Sequence, residues 1–188
     1  MKKLTSVLLS TLALLLLAGC ASPARIDRMV AATEGRTIDA VARSSLRANT
    51  SVNSVIGGKE TNPLWISNVS GADFERALEE SLKAAGLLSQ NRQASEYQIN
   101  ADLVKMDQPL FGIDMTVTAH VKYELIDRKN GTAVYKKELR IPFTATMGDA
   151  FLGVERLKIA NEGAVKSNIK TFIEEIVLLD IPKNSVGN

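Results

Sequence analysis

Histidine and cysteine carry much of the nucleophilic, metal and acid/base chemistry of proteins, and this 188-residue chain has one of each, His120 and Cys20. A triad, a histidine acid/base pair or a histidine zinc site would have to be built on His120 alone. Thr118 and Lys122 share its side of an alternating segment, which predicts an exposed strand histidine with no identifiable partner. Glu79-Glu80 and Glu174-Glu175 could be imagined as a carboxylate pair for glycan cleavage. Adjacent residues on a helix diverge by about 100°, so these acids read as solvated helix faces. Gly57-Gly58 lacks a following Lys-Ser/Thr and a strand-to-helix setting, which makes it a turn and not a phosphate loop. Lys136-Lys137 and Arg140 are spaced by acids and lack interleaved aromatics, unlike a nucleic-acid surface. The expectation is a protein with no catalytic residue, no metal site, no cofactor and no nucleic-acid partner.

The elements that would position these residues are legible to differing degrees. Val52, Val55 and Ile56, then Leu64, Trp65 and Ile66, read as one strand or a loose hairpin around Gly57-Gly58 and Asn62-Pro63. Ser70-Gly71-Ala72-Asp73 has the form of a capping box. Phe74, Ala77, Leu78, Ser81, Leu82 and Ala85 follow at helical spacing, a Glu79 to Lys83 pair is expected, and Gly86 stands where a left-handed terminator belongs. Tyr97 to Leu103 and Met115 to Leu125 alternate apolar with polar residues. Asn130-Gly131 signals a hairpin, and Ala133, Tyr135, Leu139, Ile141 and Phe143 continue one face, with Lys137 as the misfit. Period-two patterning of this kind belongs to an antiparallel sheet with one buried face, and Pro142 suits an edge strand. A last helix runs from about Asp149 to Leu179, its stripe formed by Leu157, Ala160, Ala164, Ile169, Phe172, Ile173 and Ile176. Gly153 and Gly163 within it imply a bend or a close contact. The fold class expected is α+β: a two-layer sandwich of a mainly antiparallel sheet, a three-strand meander plus an N-terminal strand, with two helices on one face.

In such a meander the loop after the first strand and the segment after the third share one end of the sheet, opposite Asn130-Gly131. Leu110, Phe111, Ile113, Phe151 and Leu152 should gather there. Connections are ordinarily polar, so an apolar end is either a contact site or a plug completing the core beneath the last helix.

The start of the chain reads differently. Met1-Lys2-Lys3 precedes an apolar run from Leu4 to Leu17, too short for a comfortable membrane span and suited to a secretory leader. It closes in Leu17-Ala18-Gly19-Cys20, which resembles the lipobox of bacterial lipoproteins. That resemblance implies cleavage before Cys20, acylation of its thiol and, because Ala21-Ser22 puts no aspartate after the cysteine, sorting to the outer membrane with the domain facing the periplasm. Two or three acyl chains hold a protein stably where one binds reversibly. With the only cysteine so used, no disulfide is expected. Removing Lys2 and Lys3 from the 23 Lys+Arg leaves as many basic residues as the 21 acidic ones, a formally neutral mature protein.

The organisation expected is a signal peptide at 1-19, a lipid-anchored tether at 20-49, in which only a short helix around Ile38 to Leu46 is conceivable, one α+β domain at 50-182 and a tail at 183-188. Strand, helix, meander and closing helix behind a lipidated cysteine resemble, in layout, small outer-membrane lipoproteins of the LPS-assembly lipoprotein type. This resemblance carries no diagnostic motif and implies a domain that works by binding. The leading expectation is a non-enzymatic scaffold or binding module for an envelope partner, with a carrier or sensor of an apolar lipid or glycolipid as the alternative and an envelope-polymer hydrolase third.

Overall fold

The computed structural model describes residues 21–62 and 66–181. The leader with Cys20, the Leu64-Trp65 part of the expected extended segment, and the tail lie outside the described residues. The described elements are α1 (Ile26–Met29), α2 (Arg36–Arg43), β1 (Thr50–Gly57), α3 (Gly71–Ala84), β2 (Tyr97–Asp107), β3 (Met115–Asp127), β4 (Thr132–Ala145) and α4 (Gly153–Val177). The fold is α+β, with one four-stranded sheet in the order β1-β2-β3-β4.

β2, β3 and β4 form the antiparallel meander that their alternation predicts, and β1 joins it in parallel beside β2. A parallel neighbour needs a crossover, which α3 supplies between β1 and β2. Pro142 lies on β4, an edge strand as its missing N–H requires. The capping box of α3 is present in altered form. The Asp73 N–H donates to Ser70 Oγ at 3.0 Å, while the Ser70 hydroxyl donates to the Asp73 carboxylate at 2.8 Å. Aspartate, one methylene shorter than glutamate, meets the hydroxyl here and not the Ser70 N–H. Lys83 reaches Glu80 at 3.8 Å and not the expected Glu79. Gly86 ends the segment at φ +71°, the left-handed conformation anticipated for it.

Tyr97, Ile99, Ala101 and Leu103 of β2 and Val117, Ala119, Val121, Tyr123 and Leu125 of β3 are buried, and the ring of Tyr123 stacks on Phe172 of α4 at 4.0 Å and lies 6.5 Å from Phe74 of α3. Lys137, the misfit in the β4 pattern, reaches Glu175 of α4 at 2.7 Å, and the Tyr135 hydroxyl donates to the same carboxylate at 2.8 Å. Gly163 lies under the ring of Phe143, which is the close contact that its place in a helix implied. The helix begins at Gly153, later than expected, because Asp149 is engaged in a turn with Thr146. Among the described residues, no helix is long and apolar enough to cross a membrane.

One expectation requires correction. The stretch from Ala21 to Asn49 is not a free tether: Met29, Ala31 and Leu46 are fully buried in the core. Arg25 grips the nearly buried Glu162 of α4 three times, through its backbone N–H at 2.8 Å and its guanidinium at 3.0 and 2.9 Å. The Ala31 N–H donates to Ser81 Oγ at 2.9 Å. A carboxylate almost excluded from water requires a cation, and the segment supplies it. Its apolar residues are spent singly by irregular chain, so they show no periodicity.

Candidate functional site at the apolar end

β3 begins and β4 ends side by side, Met115 opposite Ala145, so the loops 108–114 and 146–152 leave the sheet at the same end. The apolar residues expected there are in solvent: Leu110 is 88 % exposed, Phe111 86 %, Ile113 72 %, Phe151 82 % and Leu152 51 %. They do not complete the core. Met147, half exposed in the second loop, is a further apolar side chain at this end that the sequence reading passed over. An unbranched thioether in a Gly-Asp turn carries no periodic signal by which it could have been found.

The roots of both loops are held firmly. In the second, the Asp149 carboxylate accepts the Thr146 N–H at 2.7 Å and its hydroxyl at 2.9 Å. Those hydrogen bonds, the backbone one foremost, hold the Asp149 carboxyl below its ordinary range. The largely buried Arg156 donates to the carbonyls of Ala150 and Phe151 at 2.8 and 2.7 Å, so the backbone under Phe151 is fixed from within. In the first loop, the Gln108 amide donates to the Ser67 carbonyl at 3.0 Å and to Asn161 Oδ1 of α4 at 2.8 Å. Asn161, fully buried, donates to the same Ser67 carbonyl at 2.8 Å.

Ser67 also ties this end to the start of the described chain. Its hydroxyl donates to the Ser22 carbonyl at 2.9 Å, and the Lys158 ammonium donates to Ser22 Oγ at 3.0 Å. Ser22 is therefore pinned between the root of loop 108–114 and the second turn of α4. No sequence signal linked Ser22, Ser67 and Lys158, because hydrogen bonds across 45 and 136 residues leave no trace in local patterning.

His120 departs from its expectation. It is only 6 % exposed, with Nε2 2.8 Å from Asp107 and Nδ1 3.5 Å from Glu138. A bulge between Leu103 and Lys105 brings the end of β2 across the face that carries it. Lys105 lies 2.9 Å from Asp107 and Arg140 2.8 Å from Glu138. These cations, Lys105 for Asp107 and Arg140 for Glu138, are the main reason both carboxyls are held below their ordinary values. His120 is thus one member of a polar network across β2, β3 and β4. Among the described residues, no group of histidine, cysteine and carboxylate side chains has the spacing of a metal site.

Beside this network lies a depression of about 420 Å³ lined by Ser54, Ile56, Asn100, Asp102, Lys122 and Glu138 among others. On the other side of the sheet, Phe74, Tyr123 and Phe172 pack ring against ring where a carrier would need an apolar cavity.

The fold can be compared with proteins of known structure. No family model matches the chain, and no curated protein matches it. Several bacterial proteins of known structure resemble it in part. A protein of Xanthomonas campestris is 10% identical over 69% of this chain and 80% of its own, with a TM-score of 0.49. A candidate lipoprotein of Caulobacter crescentus is 11% identical over 76% and 93%, with a TM-score of 0.48. PelC of Paraburkholderia phytofirmans, solved as a dodecamer, is 18% identical over 71% and 88%, with a TM-score of 0.48.

Proposed function

We propose that this chain is an exported lipoprotein, acylated on Cys20 and held at the bacterial outer membrane with its domain in the periplasm, and that the domain acts by docking and not by catalysis. In this reading the domain is a two-layer sandwich, α3 and α4 covering one sheet face, and its apolar end meets an envelope partner. The lipobox motif supports the anchor. The observation that carries the docking role is the exposure of Phe111 and Phe151 on loops whose roots are fixed by Gln108, Asp149 and Arg156. A soluble monomer gains nothing from exposed aromatic side chains on anchored loops, whereas a contact surface does, because anchored roots lower the ordering entropy lost on binding. Confinement to a membrane raises the local concentration of any partner there.

Two measurements test this reading. Mass spectrometry of the native protein should find acyl chains on Cys20, and a bare thiol would end the lipoprotein assignment. Photoreactive residues at Phe111 and Phe151 should capture envelope components in intact cells, and one at the exposed Lys122 of the open sheet face should not. Equal capture at the three positions would remove the apolar end as the docking surface.

A further inference from the structure

We infer that the partner of the apolar end is the lipid bilayer itself: Leu110, Phe111, Ile113, Phe151 and Leu152 insert into the interfacial layer of the membrane that holds the acyl chains on Cys20. The inference rests on the lipoprotein reading and adds the orientation in which the domain sits.

The path of the chain start is the main argument. Reading backwards from Ala31, the segment contacts Ser81 of α3, then Glu162 through Arg25, then Lys158 through Ser22. Arg25 also lies 3.6 Å from Glu155, so the contacts of this segment's start with α4 fall on Glu155, Lys158 and Glu162, in the part of the helix that begins at Gly153 and follows loop 146–152. Ser22 is fixed on both sides, by Ser67 and Lys158. Cys20 is two residues further on, so its sulfur is tied to the domain by a lead of about 7 Å. Had residues 20 to 49 formed a loose tether, the domain could stand away from the membrane and turn freely. With so short a lead, the end of the molecule that carries Ser22 must face the headgroups.

That is the end at which the apolar loops stand. Gln108, two residues before Leu110, shares the Ser67 carbonyl with Asn161, and the Ser67 hydroxyl holds Ser22. Leu152 precedes Lys158 by six residues, about 9 Å along a helix. Five exposed apolar side chains thus stand at the end of the molecule from which the acylated cysteine must depart. The opposite end, about 37 Å away along α4, carries α2, whose Ala40 and Arg43 lie beside Val177 to Ile181.

The charge pattern says what kind of membrane contact this is. Neither loop contains lysine or arginine, and their charged residues are Asp114 and Asp149. Attraction to anionic lipid is therefore not the driving force. Burial of apolar side chains at the headgroup boundary is, and it should be indifferent to salt.

The test uses the full chain, processed and acylated in cells, purified and reconstituted into vesicles of phosphatidylethanolamine and phosphatidylglycerol. With Cys20 acylated, Phe111→Cys, Phe151→Cys and Ile38→Cys each offer a single thiol for a polarity-sensitive fluorophore. Ile38 is 56 % exposed on α2, at the far end. Emission from positions 111 and 151 should shift to the blue on reconstitution and be quenched by brominated lipid, in low and high salt alike, while position 38 stays unchanged. If all three labels remain in water on a protein that is acylated and vesicle-bound, the bilayer docking is overturned and the lipoprotein reading stands. A blue shift that brominated lipid does not quench reports a protein contact, such as a second copy, and also overturns it. A protein with unmodified Cys20 that stays off the vesicles overturns both.

Discussion

The ring of Phe143 on β4 rests directly on Gly163 of α4, nearer than a Cβ at that glycine could tolerate. Helix propensity alone would have Gly163→Ala stabilise by about 1 kcal/mol. Overpacking against the ring costs about 1–3 kcal/mol, so the substitution is expected to lower stability. In a Phe143→Ala background the sign should reverse, since propensity then acts unopposed. Urea denaturation of the four proteins in the cycle measures the coupling, and an unchanged sign would show that the ring moves aside freely.

Tyr123 is fully buried, and its hydroxyl has no hydrogen-bond partner among the described residues. Burial pushes its phenol well above the ordinary value, so it is neutral at any physiological pH. Tyr123→Phe retains the stack on Phe172 and deletes only a desolvated polar atom. Stability should rise by about 1 kcal/mol. A loss in the thermal or urea midpoint would show that the hydroxyl is hydrogen-bonded in solution.

Glu175 ties β4 to α4 and gives the protein an acid-sensitive contact. Burial alone would raise its carboxyl, but hydrogen bonds from Lys137 and Tyr135 outweigh burial and hold it below the ordinary 4.5. A carboxyl depressed on folding stabilises the native state above its unfolded pKa, and that contribution fades as pH falls from 4.5 toward the folded value. Lys137→Met should therefore lower stability by less than about 1 kcal/mol at neutral pH, Lys137 being half exposed. The deficit should vanish at low pH. Stability curves of both proteins against pH check this, and a deficit constant through the acid range would assign the effect to something other than the ion pair.

Leu46 precedes β1 and is fully buried. If the segment before β1 is part of the folded unit, Leu46→Ala should cost about 2–5 kcal/mol and leave a single cooperative transition. A truly detachable tether would lose nothing. Chemical denaturation followed by circular dichroism distinguishes the two.

The helix Gly71–Ala84, with Ser70 before it and Gly86 after it, and the three-strand meander were readable because each repeats a local rule: a cap, a period near 3.6 or a period of two. Pro142 on an edge strand was readable for a comparable reason, the loss of one donor. The segment from Arg25 to Leu46 was not. It uses a guanidinium against Glu162 and isolated apolar residues against the core, contacts that span more than a hundred residues and obey no period. The position of His120 was missed likewise, because the bulge that brings Asp107 over it depends on strand register.

For the candidate site the division is sharper. Chain order and alternation alone were enough to bring loops 108–114 and 146–152 to one end, because in an antiparallel meander the connection geometry leaves no choice. Whether Phe111 and Phe151 would fold inward or stand in water could not be read locally, since an aromatic residue fits a core and a contact surface equally well. The packed fold resolved it: the stripe of α4 is already buried against the core, and Arg156, Asp149 and Gln108 fix the roots of both loops while Phe111 and Phe151 stay in solvent. The approach of Ser22 to the same end arose the same way, from hydrogen bonds between residues distant in sequence that meet only after the sheet and helices have packed.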